Sequence, residues 1–306
     1  MVDYLELLKR SWKGFRENLV LFLPYLIGIC FGIVMIALLA AEIFIMLYYT
    51  DTTINDWLSM HFFDLIQTTE FLIVAIISLI IDAIAIIIIR AYLSSIYIGM
   101  MKDIAEKGKT EARNIFAYGR KYFLTVINII LYKLLLYLLP LAVLVLLTIF
   151  LYAASKPAGV VFGILAFLAY VAYAVVITAG LFFIYPVVAW QKGGAWALIR
   201  ESFKATKENL GHALLTIIIS IAITLIYTVI FYMIELPLKS LVGYTIGATI
   251  GLIVIVIVVY GVYYLIRIIT GLIMGYVLEI FRYNAFLECG SVEAPSGKET
   301  KKARKK

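Results

Sequence analysis

Asp82, Arg90, Lys133 and Arg267 are the residues of this 306-residue chain best placed to do chemistry, because each stands in a run that is otherwise apolar. An ionised side chain is expensive in hydrocarbon, so such a group faces the protein interior, is neutral, or has a partner. Asp82 lies near the middle of its run. Its candidate partners are Arg90, about two helical turns further along the same helix, and Lys133, about three turns into the next run. The spacing does not choose between them. Asp82 can be one half of a pair that fixes helix packing, a group that carries a proton, ion or solute, or a group facing a wet groove. Arg90, Lys133 and Arg267 can also stretch their stems to phosphates on the basic side of a membrane. Arg267 does so most naturally, since a full-length apolar stretch precedes it. Glu42 and Glu235 read as residues near the outer interface that need no special role.

Other chemistry finds no residues to carry it. There is no Gly-x-Ser-x-Gly elbow, no His-Glu-x-x-His pair and no phosphate loop ending in Gly-Lys-Ser/Thr. The chain has two histidines. His61 and His212 fall on opposite sides of the expected membrane. We expect no catalytic residue, metal site or cofactor. Cys30 and Cys289, the two cysteines, make no disulfide framework. A net charge of +7 does not imply nucleic acid, because the basic residues sit between long apolar runs rather than on a binding motif.

The elements that must position these side chains follow from composition. Hydrophobic residues make up 64% of the chain and charged residues 15%, against about 45–50% and about 25% in a soluble domain. Six runs, 19–41 (continuing past Glu42 to Tyr49), 71–89, 122–152, 158–190, 213–234 and 241–278, each reach the roughly 20 apolar residues that cross a bilayer. Backbone groups in lipid must be satisfied within the segment, so each run is read as a helix. The expected fold is all-α, a multi-pass cell-membrane protein with six transmembrane helices in one domain over 1–288. A disordered basic tail occupies 289–306. The N-terminal segment is too charged, and the run behind it too long, for a cleaved signal peptide.

Orientation follows from charge. Lys9, Arg10, Lys13 and Arg16 precede the first span. Lys102, Lys107, Lys109, Arg113, Arg120 and Lys121 lie between the second and third. Lys192, Arg200, Lys204 and Lys207 lie between the fourth and fifth. Arg282 and the tail follow the sixth. The opposite loops hold Lys156 and Lys239. This positive-inside pattern puts both termini in the cytoplasm.

Three units recur, about 1–101, 102–191 and 192–288. Ser11-Trp12-Lys13-Gly14-Phe15-Arg16-Glu17-Asn18-Leu19 matches Ser202-Phe203-Lys204-Ala205-Thr206-Lys207-Glu208-Asn209-Leu210, and 115–123 is a weaker copy. Gly180, Leu181 and Tyr185 match Gly271, Leu272 and Tyr276. Each unit reads as an amphipathic helix followed by a helical hairpin. In the first, Leu5, Leu8, Trp12 and Phe15 share a face. In the third, Trp196, Ile199 and Phe203 do. Such helices lie in the interface with Trp12, Phe15, Trp196 and Phe203 toward lipid and their cations toward phosphates, or pack on the spans. In the first outer loop, Asn55 is placed to cap a short helix with Leu58, Phe62, Leu65 and Ile66 on one face, Trp57 at its edge and His61 within it. Glycines four apart (28/32, 159/163, 271/275 and 243/247/251) allow close helix approach. Pro24 and Pro140 are candidate kinks.

The linker 185–209 resembles a prokaryotic family of six-span membrane proteins similar to the membrane domain fused to some glycerophosphodiester phosphodiesterases. Pro186, Lys192, Gly193, Ser202, Thr206 and Asn209 carry the likeness, which extends over about 1–285. It implies a lipid-related membrane module without the hydrolase activity. High isoleucine and low glutamine suit an archaeal or thermophilic source. The leading expectation is a non-enzymatic module that organises or senses lipid. The alternative is a transporter or channel for a small solute, ion or lipid using Asp82, Lys133 and Arg90. Expected partners are membrane lipids and either a second copy or another membrane protein.

Overall fold

The computed structural model describes residues 2–49, 69–243 and 250–288. The outer-loop helix around Asn55 and His61, Gly247, Cys289 and the tail lie outside the described residues. Nine α-helices occur among those described: α1 (Tyr4–Arg16), α2 (Leu23–Tyr49), α3 (Thr69–Lys107), α4 (Ile115–Ala154), α5 (Lys156–Gly180), α6 (Ile184–Trp190), α7 (Ala195–Glu208), α8 (Leu210–Gly243) and α9 (Ile250–Glu288). Six segments are long and apolar enough to cross a membrane. Their best 18-residue windows have mean hydropathies of 2.1–3.2, and at most 11% of any window is buried. Apolar surface left open on that scale requires lipid as its solvent.

Three expected spans change at their ends. The run 158–190 is not one helix: α5 stops at Gly180 and α6 starts at Ile184. Pro186 has no N–H to offer the Phe182 carbonyl, so a continuous helix would lose a bond there. The run 213–234 does not end at Ile234, since α8 continues through Pro237 to Gly243. A Glu235–Lys239 ion pair of 2.8 Å, one turn apart, bridges the proline. The run expected to begin at 241 does not begin there, since 241–243 belong to α8; α9 is described from Ile250. Pro24 sits at the second residue of α2, where a missing N–H costs nothing. Pro140 is accommodated inside α4.

The chain forms two compact units. The first contains residues 1–19, 101–110 and 136–306. Its buried core gathers around α1, α6, α7 and the last turns of α9. Asp3 caps α1 by accepting from the N–H groups of Leu5 and Glu6 at 3.0 and 3.1 Å, and Lys13 and Arg16 complement the dipole in its last turn. Leu7, Ser11 and Phe15, four apart, form its buried face. Asn284 on α9 donates to the Ser11 hydroxyl at 3.1 Å, and Phe15 stacks on Tyr276. Ser11 passes its own proton to the Leu7 carbonyl at 2.7 Å, so this fully buried hydroxyl is satisfied.

Asn18 clasps the loop after α3. Its amide donates to the carbonyls of Gly14 and Gly108 at 2.7 and 2.9 Å, and its carbonyl accepts from the Thr110 N–H at 2.8 Å. Gly108 closes α3 at φ +73°, a conformation that suits glycine. Asn18→Ala leaves the Thr110 N–H buried without a partner. We expect it to cost about 1–3 kcal/mol, visible as a lowered unfolding midpoint in detergent. An unchanged midpoint would show that the clasp does not contribute.

The second unit contains residues 20–100 and 111–135. Here α3 and α4 meet through reciprocal glycine–tyrosine contacts. Gly99 lies under the Tyr118 ring and Gly119 under the Tyr92 ring, so a Cβ at either would overlap the ring. Tyr92 also meets Phe123 edge-on at 6.3 Å. Gly28 on α2 approaches Leu93 on α3. The amphipathic start of α4 is continuous with its span, whereas α1 and α7 are separate helices.

Candidate functional site

In the second unit, Asp82 is half-buried on α3 and its Oδ1 is buried with no hydrogen-bond partner among the described residues. Arg90 is exposed on the same helix. Lys133 on α4 is half-buried and engaged. One group the structure brings near Asp82 is Glu42, which was read as a residue with no special role. The carboxyls of Asp82 and Glu42 lie within electrostatic range of each other. The helix geometry agrees. From the contact of Gly28 with Leu93, Glu42 lies about 21 Å along α2 and Asp82 about 17 Å back along α3, at 1.5 Å per residue. The antiparallel helices therefore carry the two acids to nearly one level. Glu42 was legible as an interruption of an apolar run, but its pairing depended on a register the sequence does not contain.

In the first unit, the reading of Arg267 as a cation reaching for phosphates on the basic side is corrected. Its Nη1 donates to Glu235 Oε2 on α8 at 2.6 Å. Glu235, read as a bystander, is 8% exposed and holds Lys239 as well. The missed signal was an arginine with no acid in its own run and an acid just past the counted end of the neighbouring run. Tyr227 donates to the Arg267 carbonyl at 2.6 Å and Tyr263 to the Phe231 carbonyl at 2.8 Å, joining α8 to α9. Tyr170 and Tyr173 likewise donate to carbonyls of Tyr137 and Leu136, joining α5 to α4. In lipid these bonds face no competition from water.

A second set of charges sits where α3 ends. Asp103, 8% exposed, pairs with Lys107 at 2.8 Å. Lys102 donates to the Ala189 carbonyl at 2.8 Å, neutralising the negative end of α6. The Trp190 indole donates to Glu106 at 2.8 Å. His212 closes a link between α1 and α9: its Nε2 donates to the Ala285 carbonyl at 3.0 Å, which leaves Nδ1 to accept from the Tyr4 hydroxyl.

The four aromatic residues expected at the interface divide. Phe15 is buried against Tyr276, and Phe203 lies on Gly180. Trp12 and Trp196 are 52% and 50% exposed, on faces shared with Lys9, Lys13, Arg200 and Lys204. The linker residues are held locally. Ser202 donates to the Gly180 carbonyl at 2.8 Å and so staples α7 to the end of α5, while the Asn209 amide donates to the Ala205 carbonyl at 3.3 Å and closes the end of α7. Between α4 and α5 an open apolar groove of about 500 Å³ is lined by Thr148, Tyr152, Gly159, Gly163 and Phe167. Among the described residues no group of three His, Cys, Asp or Glu side chains is gathered as a metal would need.

Together these features define a helical, multi-pass membrane protein with charged side chains buried along its spans. No protein-family model matches the chain, and no curated protein or solved structure matches it.

Proposed function

We propose that this protein moves a small solute, an ion or a lipid across or within the membrane, with Asp82 as the group that engages the moving charge. The observation that supports this reading is the buried Asp82 Oδ1, which has no hydrogen-bond partner among the described residues and lies level with Glu42. A carboxyl kept only for packing has its oxygens satisfied, whereas one left open can accept a proton or a cation. Lys133 and Arg90 serve the same path as cationic neighbours on the spans. The basic loops support an orientation with both termini in the cytoplasm.

Exposed Trp12 and Trp196 beside basic residues favour a second reading, in which α1 and α7 lie in the headgroup region and the protein organises or senses lipid. Both readings accommodate three related units. Leu7, Ser11 and Asn18 in α1 and its flank correspond in spacing to Leu198, Ser202 and Asn209 in α7 and its flank, and the first two pairs correspond in burial as well. The likeness to the membrane domain fused to glycerophosphodiester phosphodiesterases fits the lipid branch of either reading. The deciding experiment reconstitutes the purified chain in liposomes and follows proton, sodium, potassium and fluorescent-lipid movement. We expect at least one to exceed protein-free vesicles. Four inactive assays on folded protein would reject the transport reading in favour of the lipid-organising one.

A further inference from the structure

Two helices of the first unit repeat one outward pattern. On α1, Leu5, Lys9, Trp12 and Arg16 are exposed, and their spacings of four, three and four put them on one stripe. On α7, Trp196, Arg200 and Lys207 are exposed at the equivalent positions, with half-buried Phe203 in place of Trp12. Each stripe ends three residues before an exposed leucine, Leu19 on the first and Leu210 on the second. Those leucines are also where two of the spans begin, Leu19–Ile45 and Leu210–Ser240.

The charge on the α1 stripe is uncompensated. Arg10 and Lys13, beside the stripe, hold Glu288 at 3.7 Å and Glu17 at 3.8 Å. Lys9 and Arg16, which flank Trp12 at three and four residues, have no ion-pair partner among the described residues.

Packing says how α1 lies. Near its start, the Tyr4 hydroxyl donates to His212, two residues into the span of α8. Just past its end, Leu19 opens the first span. The helix is about 18 Å long at 1.5 Å per residue, and both its ends meet the start of a span. It therefore runs along the membrane surface and not away from it. Its inner face is filled by Phe15 on Tyr276 and Ser11 against Asn284. The stripe is left to the lipid boundary. An indole sits well at the level of the headgroups, with neighbouring cations on their phosphates. A zwitterionic headgroup carries its own cation, so the two unpaired charges favour an anionic one.

We propose that the α1 stripe is a docking surface for anionic phospholipid headgroups, with Lys9 and Arg16 on the phosphates and Trp12 and Leu5 in the boundary between headgroups and chains, and that the α7 stripe is a second such surface. The proposal rests on the reading in which α1 and α7 lie in the headgroup region, and it is independent of transport.

The test uses the full chain. In nanodiscs of phosphatidylcholine with and without phosphatidylglycerol, quenching of tryptophan fluorescence by lipids brominated high on the acyl chain reports where α1 lies, read as the difference between wild type and Trp12→Phe. Native mass spectrometry in a neutral detergent reports lipid preference. Trp12 should be quenched in both membranes, and wild type should bind phosphatidylglycerol over phosphatidylcholine. Lys9→Gln and Arg16→Gln should each weaken that binding about fivefold, the effect of one cation near an anionic lipid surface. Arg200→Gln should do the same at the second stripe, and no effect there would confine the surface to α1. Arg10→Gln, whose cation faces Glu288, should leave binding unchanged. An equal loss in Arg10→Gln would show that net charge alone attracts the lipid and would overturn the stripe. Unchanged binding in Lys9→Gln and Arg16→Gln, or equal binding of the two lipids, would also overturn it, while a quenched Trp12 kept the interfacial reading. A Trp12 that no brominated lipid quenches would remove the interfacial reading and the proposal with it.

Discussion

Asp82→Asn is expected to melt at the same temperature as the wild type or higher, and to abolish the movement of whatever ion or solute the liposome assay detects. The stability half rests on the buried Oδ1, which has no hydrogen-bond partner among the described residues. Asparagine has nearly the same shape and carries no charge. Replacing a buried carboxyl oxygen that makes no hydrogen bond among the described residues does not destabilise the folded state. It also relieves any repulsion from Glu42, which lies in electrostatic range. The functional half follows because an amide cannot take up or release a proton at ordinary pH and binds cations poorly. The pair of results separates Asp82 from a packing residue. Had it been one half of a buried ion pair, losing its charge would strand the partner and lower stability. A clear drop in melting temperature with normal flux would therefore sink the proposed role. Glu42→Gln, made in parallel, should reduce flux if the two acids share their ligand.

Gly180→Val should give the largest loss of folded protein of any single change discussed. Gly180 ends α5 beneath the Phe203 ring, and a Cβ there would overlap it. The same glycine offers its carbonyl to Ser202 at 2.8 Å. Extra carbon at a packed contact costs about 1–3 kcal/mol. Here it would also push α7 off the acceptor that satisfies a fully buried hydroxyl. Gly180→Ala is the graded case. Combined with Phe203→Ala, it should be less harmful than the two single changes added together, because the smaller side chain makes room for the methyl group. Size-exclusion yield and melting temperature of the four proteins would show it. Strict additivity would mean that this contact yields without cost.

The amphipathic helices show how far sequence patterning reaches. Their existence was legible in α1 and α7, and so were the cations on their outer faces. Which apolar residues turn inward was not. Trp12 and Phe15 are three apart on one helical face, yet one is half-exposed and the other buried. Ser11 and Ser202, fully buried, were invisible to hydropathy because their hydroxyls are satisfied by partners on other turns and helices. The resemblance in the linker pointed to Ser202 and Asn209, and their bonds give those residues a local structural role.

What the sequence by itself determined is the set of six apolar segments, the all-α class, the basic character of one set of loops and the presence of costly charges in the spans. These are properties of composition and run length, and lipid imposes them on each segment separately. What only the tertiary structure decided is which charges meet. Glu235 with Arg267, Asp82 level with Glu42, and Gly180 under Phe203 join residues 32, 40 and 23 positions apart. Such pairings depend on helix register and on where helices end. Register is set by close approach at small residues such as Gly28, and the ends are set by Pro186 and by the ion pair that carries α8 past Pro237. Each is a sum of weak contacts across helices, and no single run of residues contains it.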